Sequence, residues 1–277
     1  MIELYYQNAE ANFGDILSRD IVSMVSGQRV SWAPLKSAGL VALGSLGERV
    51  LKKRFRRYFL NGLKPLPVWG TGFLAPGGAS GDSALAVYAL RGKHSAMRLK
   101  VKRDIALGDP GFLCNQLYPA MPRVDRRITC IAHAADTQQV VWKSAIQRIF
   151  PHYHVSSCSI QAPVPEVAQA ISCSELIVTT AMHPLIAAAA YGIPAVWLLP
   201  PGLHVGAGYK FEDAFSVTGC QPAPILLDEL LKGAISADRL MSEAQSSVPE
   251  RELVVQVQRG LTQSFVEMQQ SFFHPAD

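Results

Sequence analysis

Residues 175–194 have the sequence ELIVTTAMHPLIAAAAYGIP, and this stretch decides the fold class. Residues 175–180, with the apolar run Leu-Ile-Val at their centre, predict a buried strand. Pro184 suits the first position of a following helix, because the N–H that proline lacks would have no partner there, and Gly192 suits the helix end. Residues 195–199 predict a second strand, so the stretch forms one strand–helix–strand unit of a parallel sheet.

The same alternation continues on both sides of this unit. Further apolar runs predict strands over residues 2–6, 40–43, 67–70, 84–90, 105–107, 127–132 and 154–158. In the helix predicted over 137–150, we expect Val140, Val141, Ile146 and Ile149 to face the core. We therefore predict an α/β fold of two Rossmann-like domains with parallel sheets and a cleft between them.

A cluster of prolines and polar residues at 119–125 marks the boundary between the two domains. The N-terminal Rossmann-like domain covers residues 1–121, and the C-terminal one covers residues 122–277. The second domain includes a long amphipathic helix over 249–273, which we expect to pack back on the first. Ligands of open α/β sheets bind at the carboxyl ends of the strands, so the loops that follow strands are the candidate functional segments.

Composition excludes several classes of protein. Of the 277 residues, 49% are hydrophobic and 17% are charged, which argues against a disordered chain, a collagen-like repeat or a coiled coil. The net charge of +4 is too small to indicate nucleic-acid binding by itself. The five cysteines include no C-x-x-C pair, so we expect reduced thiols. The sequence shows no secretory signal or continuous membrane span, and we expect a cytoplasmic protein.

His183 occupies the most informative of the candidate loops. It follows the strand predicted over 175–180 and precedes Pro184, so we predict it at the N-cap of the helix, beside unpaired backbone N–H groups. That position binds anions, and its positive field favours the neutral imidazole, which could exchange protons near pH 7. The alternative is a histidine that only caps the helix.

Arg91 follows the apolar run 85–90 and precedes Gly92. An arginine at a strand end can hold a phosphate or a carboxylate through two parallel hydrogen bonds, and the alternative is a surface ion pair. Three glycine-bearing loops repeat this geometry, and none matches a P-loop or a complete dinucleotide fingerprint. Their candidate ligand-binding residues are Asn12, Gly14, Gly70, Gly72 and Asp109.

Asp15, His133 and Lys210 complete the set of candidate residues. Asp15 is either a catalytic group or a helix cap. His133 follows the strand predicted over 127–132, and Lys210 follows a glycine-rich loop, where it could supply a second cation. The spacing of His, Cys, Asp and Glu matches no metal-binding motif, so we expect no metal.

One basic segment interleaves aromatic residues with its charges on a predicted helix. Its cations are Lys52, Lys53, Arg54, Arg56 and Arg57. This pattern is typical of a helix at a membrane interface, and a solvated helix face is the alternative. No nucleic-acid-binding motif accompanies the segment, so we expect no nucleic-acid partner.

Taken in order, these loops resemble the polysaccharide pyruvyl transferase family, and within it the exopolysaccharide ketal-pyruvate transferase branch. The resemblance covers residues 1–216 as an ordered set of short motifs. The motifs are Asn12-Phe-Gly-Asp15, Trp69-Gly-Thr-Gly-Phe73, Leu90-Arg-Gly92, Leu107-Gly-Asp-Pro110, Ile131-Ala-His133, Met182-His183 and Tyr209-Lys-Phe-Glu-Asp213.

The resemblance implies a GT-B-like fold in which residues 1–121 serve the acceptor and residues 122–277 serve the donor. It implies phosphoenolpyruvate as donor and a sugar of a growing polysaccharide repeat as acceptor. We expect no cofactor, a lipid-linked acceptor, and a protein that is peripheral at the inner face of the cytoplasmic membrane. The product is a cyclic pyruvate ketal. Arg91 matches the arginine of the family's Arg-Gly motif, and His183 matches the histidine of its Arg-Leu-His triplet; both serve the donor.

The chain departs from the family pattern beside these two residues. Ala181 and Met182 replace the arginine and leucine of the triplet, and Lys93 replaces the proline that follows Arg-Gly. Losing one charge-assisted hydrogen bond to the donor costs about 1.5–3 kcal/mol. Lys210 or Lys93 could supply the missing charge.

The resulting hypothesis assigns donor binding to Arg91 and the helix N-terminus, and proton transfer to His183, with His133 or Asp15 as a second group. Two other hypotheses stay open. One is a nucleotide-sugar glycosyltransferase of the GT-B type. The other is a catalytically impaired homologue with a scaffold role in polysaccharide assembly, which Ala181 favours.

Overall fold

The computed structural model describes residues 1–8, 12–203, 206 and 208–273. Six strands form one sheet: β1 (Ile2–Tyr5), β2 (Val30–Trp32), β3 (Leu40–Val41), β4 (Leu66–Trp69), β5 (Leu85–Leu90) and β6 (Ala106–Leu107). Five strands form a second sheet: β7 (Arg127–Ile131), β8 (His154–Ser157), β9 (Leu176–Thr179), β10 (Ala195–Leu199) and β11 (Ile225–Leu226).

All the strand pairs described in these sheets are parallel. The strand orders are β2-β1-β3-β4-β5-β6 and β11-β10-β9-β7-β8. Consecutive parallel strands need a crossover, and helices supply most of the connections. The predicted α/β fold with two parallel sheets is confirmed.

The helices connect the strands and cover the sheets. They are α1 (Phe13–Ser26), α2 (Gly47–Leu60), α3 (Lys93–Leu99), α4 (Cys114–Leu117), α5 (Gln139–Ile149), α6 (Val164–Ser172), α7 (Met182–Tyr191), α8 (Tyr209–Phe215), α9 (Leu227–Leu231), α10 (Ala237–Gln245) and α11 (Arg251–Phe272). A short 3₁₀ helix, Pro110–Leu113, follows β6. In the part of the chain that the structure describes, no helix has the length and hydropathy needed to cross a bilayer.

The strand–helix–strand unit predicted from residues 175–199 is present as β9, α7 and β10. Nearly every residue of α7 is buried, because the helix contacts β9 and β10 on one side and the 3₁₀ helix that follows the first sheet on the other. Such all-round burial is typical of a helix between layers. One continuous core cluster consequently contains side chains from both sheets.

The predicted core face of α5 is wrong in two positions. Val140 and Val141 are 78% and 55% exposed. The buried stripe instead runs through Trp142, Ala145 and Ile146, at the i, i+3, i+4 spacing of one helix face. The large ring of Trp142 sets that face toward the core, and the two valines then point to solvent.

Helix α11 packs on β4, β5 and β6 of the first sheet, although it follows the second sheet in the chain. The indole Nε1 of Trp69 donates to the carbonyl of Leu261 at 3.0 Å, and the Trp69 and Phe265 rings meet edge to face at 4.8 Å. The Gln258 amide donates to the carbonyl of Phe112 at 2.7 Å. These contacts hold the helix across the first sheet.

Candidate active site

Several of the candidate loops meet where α7 begins. His183 lies in the first turn of α7, Asp109 precedes the 3₁₀ helix after β6, and His133 follows β7. Lys210 comes from α8, and Arg91 follows β5. The charges of Lys210, Arg91 and His133 all act on His183, so these groups form one electrostatic cluster.

The predicted N-cap position of His183 is wrong by two residues. The N-cap of α7 is Ala181, whose backbone is extended, and His183 is the second residue of the helix. The hydroxyl of Thr179 accepts from the Ala181 N–H at 3.0 Å, which starts the helix earlier than Pro184 predicts. His183 still lies in the first turn, where backbone N–H groups lack helical partners.

The imidazole of His183 packs directly against the backbone of Gly14. A Cβ atom on Gly14 would lie 1.9 Å from Nδ1 of His183. Residue 14 therefore has to be glycine for the ring to occupy this place. The space beside Gly14, a candidate ligand-binding residue, is thus filled by the protein's own histidine.

His183 and Asp109 face one another without completing a hydrogen bond. Nε2 of His183 lies 3.9 Å from Oδ2 of Asp109, and among the described residues neither atom has a hydrogen-bond partner. The other carboxylate oxygen of Asp109 accepts from the Gly111 N–H at 2.8 Å, which caps the 3₁₀ helix. Two buried polar atoms thus point at each other across a gap.

Burial changes the proton affinity of both groups. It raises the pKa of Asp109 to about 6, because the charged carboxylate is separated from water. Burial, followed by the positive charges of Lys210 and Arg91, lowers the pKa of His183 to about 3. At neutral pH the cluster therefore holds a neutral imidazole beside an ionised carboxylate.

Lys210 is a buried cation without a compensating carboxylate. Its ammonium lies 5.3 Å from the centre of the Phe211 ring, and no acidic side chain of the described residues forms an ion pair with it. Burial, and then the charge of Arg91, lowers the pKa of Lys210 to about 8. The cluster therefore has an uncompensated positive charge beside His183.

Arg91 is fully buried and has several protein partners. Nε donates to Oδ2 of Asp213 at 2.9 Å, Nη1 donates to the hydroxyl of Ser45 at 2.7 Å, and Nη2 donates to the carbonyl of Phe73. Ser95 adds two more hydrogen bonds to Asp213, from its N–H at 3.0 Å and its hydroxyl at 2.5 Å. The Arg91–Asp213 ion pair is therefore buried and not on the surface. Donor binding by Arg91 stays a prediction.

The glycines of the second loop also accommodate protein groups. A Cβ on Gly72 would lie 2.5 Å from the guanidinium carbon of Arg91, and a Cβ on Gly70 would lie 2.2 Å from the Pro110 ring. Gly70 also has a φ of 84°, which favours glycine. These residues shape the backbone around the cluster.

Asn12 and Asp15 form the N-terminal cap of α1. The Asn12 side-chain oxygen accepts from the Asp15 N–H at 3.1 Å, and its amide donates back to the Asp15 carboxylate. Asn12 is therefore the cap, and Asp15 is the third residue of the helix. Burial raises the pKa of Asp15 to about 6, although the Asn12 hydrogen bond opposes the shift.

His133 is tied to the start of α7. Its N–H donates to the Thr180 hydroxyl at 2.8 Å, and its Nδ1 accepts from the Ala135 N–H at 3.2 Å. Burial and the charge of Lys210 lower the pKa of His133. The ends of β7 and β9 thus place His133 and His183 where the charge of Lys210 acts on both.

Two residues next to the motifs have a clear place in the structure. Ala181 is buried, so the position of the family arginine is apolar here, while Lys93 is exposed on α3. Of the two lysines expected to supply charge, only Lys210 acts on His183. The sequence does not identify Asp213 as the partner of Arg91; its spacing of three residues only places it on the same face of α8 as Lys210.

The described residues contain no group of three or more His, Cys, Asp or Glu side chains arranged to hold a metal ion. All five cysteines are free thiols, and three of them are buried. The chemistry that this cluster offers is therefore the binding of an anion by Lys210 and α7, and proton exchange at His183, Asp109 and their neighbours.

Comparisons with known proteins give a family match over part of the chain and a fold. The sequence model of the family described as polysaccharide pyruvyl transferase matches residues 81–200. That stretch contains Arg91, Asp109, His133 and His183. No curated protein matches the sequence at a significant level.

Two solved structures share the architecture. A protein described as a UDP-N-acetylglucosamine 2-epimerase from Listeria monocytogenes has a TM-score of 0.55 at 10% identity, over 93% of this chain and 78% of that one. MnaA of S. aureus in complex with UDP has a TM-score of 0.55 at 11% identity, over 100% of this chain and 98% of that one. At such identities the likeness shows the fold alone, which is GT-B-like.

Proposed function

We infer the function from the premise that residues 81–200 match the polysaccharide pyruvyl transferase family, which supports the resemblance over that stretch. We propose that the chain transfers pyruvate from phosphoenolpyruvate to a sugar of an exopolysaccharide repeat and forms a cyclic ketal. The observation that carries this proposal is the 3.9 Å gap between two unpaired atoms, Nε2 of His183 and Oδ2 of Asp109, beside the uncompensated charge of Lys210.

The donor is a small, multiply charged anion, and the cluster has two features that suit it. Lys210 carries a positive charge with no described acidic partner, and the first turn of α7 presents backbone N–H groups at the positive end of the helix dipole. Lys210 thus supplies the charge of the family arginine that Ala181 replaces in this chain. The positive charge of Arg91 adds to that of Lys210 at this site, while the Arg91 side chain is held by Asp213.

Ketal formation needs one proton and two hydroxyl attacks. A proton is added to the methylene carbon of phosphoenolpyruvate, a sugar hydroxyl attacks C2, and phosphate leaves. A second hydroxyl then attacks the same carbon and closes the ring, so both hydroxyl protons are released. One of them replaces the proton added to the methylene carbon and the other protonates the departing phosphate, so the net products are the ketal and inorganic phosphate.

His183 is suited to move these protons once the donor is bound. Burial and nearby cations hold the pKa of the free imidazole at about 3. A bound phosphate or carboxylate brings negative charge, which favours the imidazolium and raises that pKa. Asp109, across the 3.9 Å gap, stabilises the charged ring. The histidine therefore becomes an effective proton carrier only in the complex.

Incubation of the chain with phosphoenolpyruvate and a saccharide acceptor tests the proposal. We expect phosphate release in equal amount to a new pyruvate ketal, detected by the methyl resonance in proton NMR. We also expect phosphoenolpyruvate to raise the Tm, because a ligand that binds the folded state stabilises it. Absence of both effects would contradict the proposed donor.

The same titration separates the competing hypotheses. A glycosyltransferase would be stabilised by a nucleotide diphosphate sugar and not by phosphoenolpyruvate. A scaffold homologue would show no turnover until Ala181→Arg restores the family charge. Under the present proposal, the chain with Ala181 is already active, because Lys210 supplies the charge.

A further inference from the structure

The exposed side of α2 combines cations and large apolar side chains. Lys52, Lys53, Phe55, Arg56, Phe59 and Leu60 are all exposed, and we call them the basic-aromatic face. Their spacing places them on one side of the helix, away from the buried Val50 and Arg57. Phe59 and Leu60 are 70% and 63% exposed. Single exposed apolar residues are ordinary, but a contiguous group indicates an interaction surface.

The face continues into a groove beside the helix. Trp32, at the edge strand β2, is exposed on its ring while its indole N–H donates to the Tyr6 carbonyl at 3.0 Å. Between α2 and residues 32–36 lies a groove of about 290 Å³, lined by Lys36, Lys53 and Arg56 together with apolar side chains. Arg57 also lines this groove, so four cationic side chains border it.

The cations of this face differ from the other basic residues of α2. Arg57 donates to the carbonyls of Ala38 and Lys64, and Arg54 donates to the carbonyl of Leu51. Lys52, Lys53 and Arg56, by contrast, form no ion pair with any described residue. Their charge is therefore available to an external anion.

We propose that the basic-aromatic face docks on a bilayer that contains anionic phospholipid. Phe59 and Leu60 enter the interface, and a lipid phosphate occupies the groove between Lys36, Lys53 and Arg56. A second copy of the chain fits this face poorly, because a two-fold contact would bring the same cations together. The positive charge of the basic-aromatic face thus favours an anionic membrane surface over a second copy of the chain.

The orientation of α2 suits such docking. Its first residue, Gly47, adjoins Phe73 and Gly72 next to the Arg91 cluster, whereas Phe59 and Leu60 lie at the other end. A helix of this length spans roughly 20 Å. The bilayer would therefore hold the chain without covering the candidate active site. The docking is independent of which reaction that site performs.

Sedimentation with vesicles tests the proposal on the whole chain. We expect binding to phosphatidylcholine vesicles that contain phosphatidylglycerol, little binding to phosphatidylcholine alone, and release by salt. Lys53→Gln with Arg56→Gln should weaken binding about 30-fold, since each basic residue near the surface contributes about one kcal/mol. Phe59→Ser with Leu60→Ser should weaken it to a similar degree.

Two matched controls keep the test specific. Lys100→Gln with Lys102→Gln removes the same charge beside β6, at the opposite edge of the first sheet. Val140→Ser with Val141→Ser removes two exposed apolar side chains from α5. Both should bind vesicles as the parent does. Equal loss in the controls, equal binding to neutral vesicles, or dimerisation through α2 that persists at low concentration would overturn the proposal.

Discussion

Two buried groups of charges lie side by side in this molecule, and their hydrogen bonding differs completely. Arg91 and Asp213 are both inaccessible, and between them they engage Ser45, Ser95 and the carbonyl of Phe73. In the neighbouring group, Oδ2 of Asp109 and Nε2 of His183 have no hydrogen-bond partner among the described residues. The first group is internally satisfied and the second is not.

This difference distinguishes residues that hold the structure from residues that take part in the reaction. A buried charge with all its partners in place holds the backbone, and losing one partner is costly. Buried groups with shifted pKa values and unpaired atoms destabilise the folded state unless a ligand satisfies them, and such groups concentrate at functional sites. We therefore interpret Arg91 as a residue that positions the loops, and His183, Asp109 and Lys210 as the residues that meet the substrate.

The largest effect on stability is expected for Arg91→Met. The substitution leaves the Asp213 carboxylate buried without its cation, so the free energy of unfolding should fall by about 3–5 kcal/mol. Urea denaturation measures it. Arg239→Met is the control, because Arg239 pairs with Glu229 at an exposed position and should matter by less than about 1 kcal/mol. A variant that folds normally but loses affinity for the donor would instead make Arg91 a donor ligand.

His183→Ala should have the largest effect on turnover. Loss of a proton-transferring side chain lowers the rate by about 10²–10⁴-fold, while circular dichroism should remain that of the parent. His154→Ala, which removes an exposed histidine from β8, is the matched control and should retain full activity. Near-normal ketal formation in His183→Ala would refute the role.

Lys210→Met should stabilise the protein while it impairs donor binding. The pKa of Lys210 is lowered from 10.5 to about 8, so at pH 7 the folded state holds an unfavourable charge. Removing it should raise the free energy of unfolding by about 3 kcal/mol. This advantage should shrink as the pH rises from 8 to 10.5, because the parent's folded state is then neutral while its unfolded state still binds the proton. A lower stability of Lys210→Met would mean that the Lys210 ammonium has favourable interactions with other protein groups.

Two glycine substitutions probe the two groups separately. Gly72→Ala meets the Arg91 guanidinium at 2.5 Å and should reduce stability by about 1–3 kcal/mol. Gly14→Ala meets the His183 ring at 1.9 Å, so it should displace the ring and lower turnover by about 10²-fold. Gly78→Ala is the control, since a Cβ there meets nothing within 4 Å. Identical effects of Gly14→Ala and Gly72→Ala would erase the distinction between the groups.

The mildest test is the pH profile of kcat/KM. Asp109 has a pKa of about 6 and Lys210 of about 8. Activity that needs the carboxylate and the ammonium should therefore rise as pH increases through about 6 and fall above about 8. In Asp109→Asn the acidic limb should disappear. A limb that persists near pH 6 would assign it to Asp15, whose pKa is also about 6.

The sequence predicts the sheets and the site loops well because local signals determine them. Apolar runs mark most of the strands, and the chain order of the loops indicates which residues meet at strand ends. The capping of α1 also follows from a local pattern, Asn12 followed three residues later by Asp15.

The partners of the buried charges could not be predicted in the same way. Arg91 and Asp213 lie 122 positions apart, and no local pattern links them. The exposure of Val140 depends on Trp142 taking the core position, which is a result of packing. Likewise, only the three-dimensional structure shows that the space beside Gly14 holds an imidazole.

Helix α11 also bears on how the protein is synthesised. It covers β4–β6, yet Val254 follows Leu107 by 147 residues. While the ribosome makes those intervening residues, Trp69 and its neighbours have no cover, and such exposed apolar surface invites chaperones and aggregation. The sheet that is translated first is thus completed last, because the helix that covers β4–β6 is made only after all five strands of the second sheet.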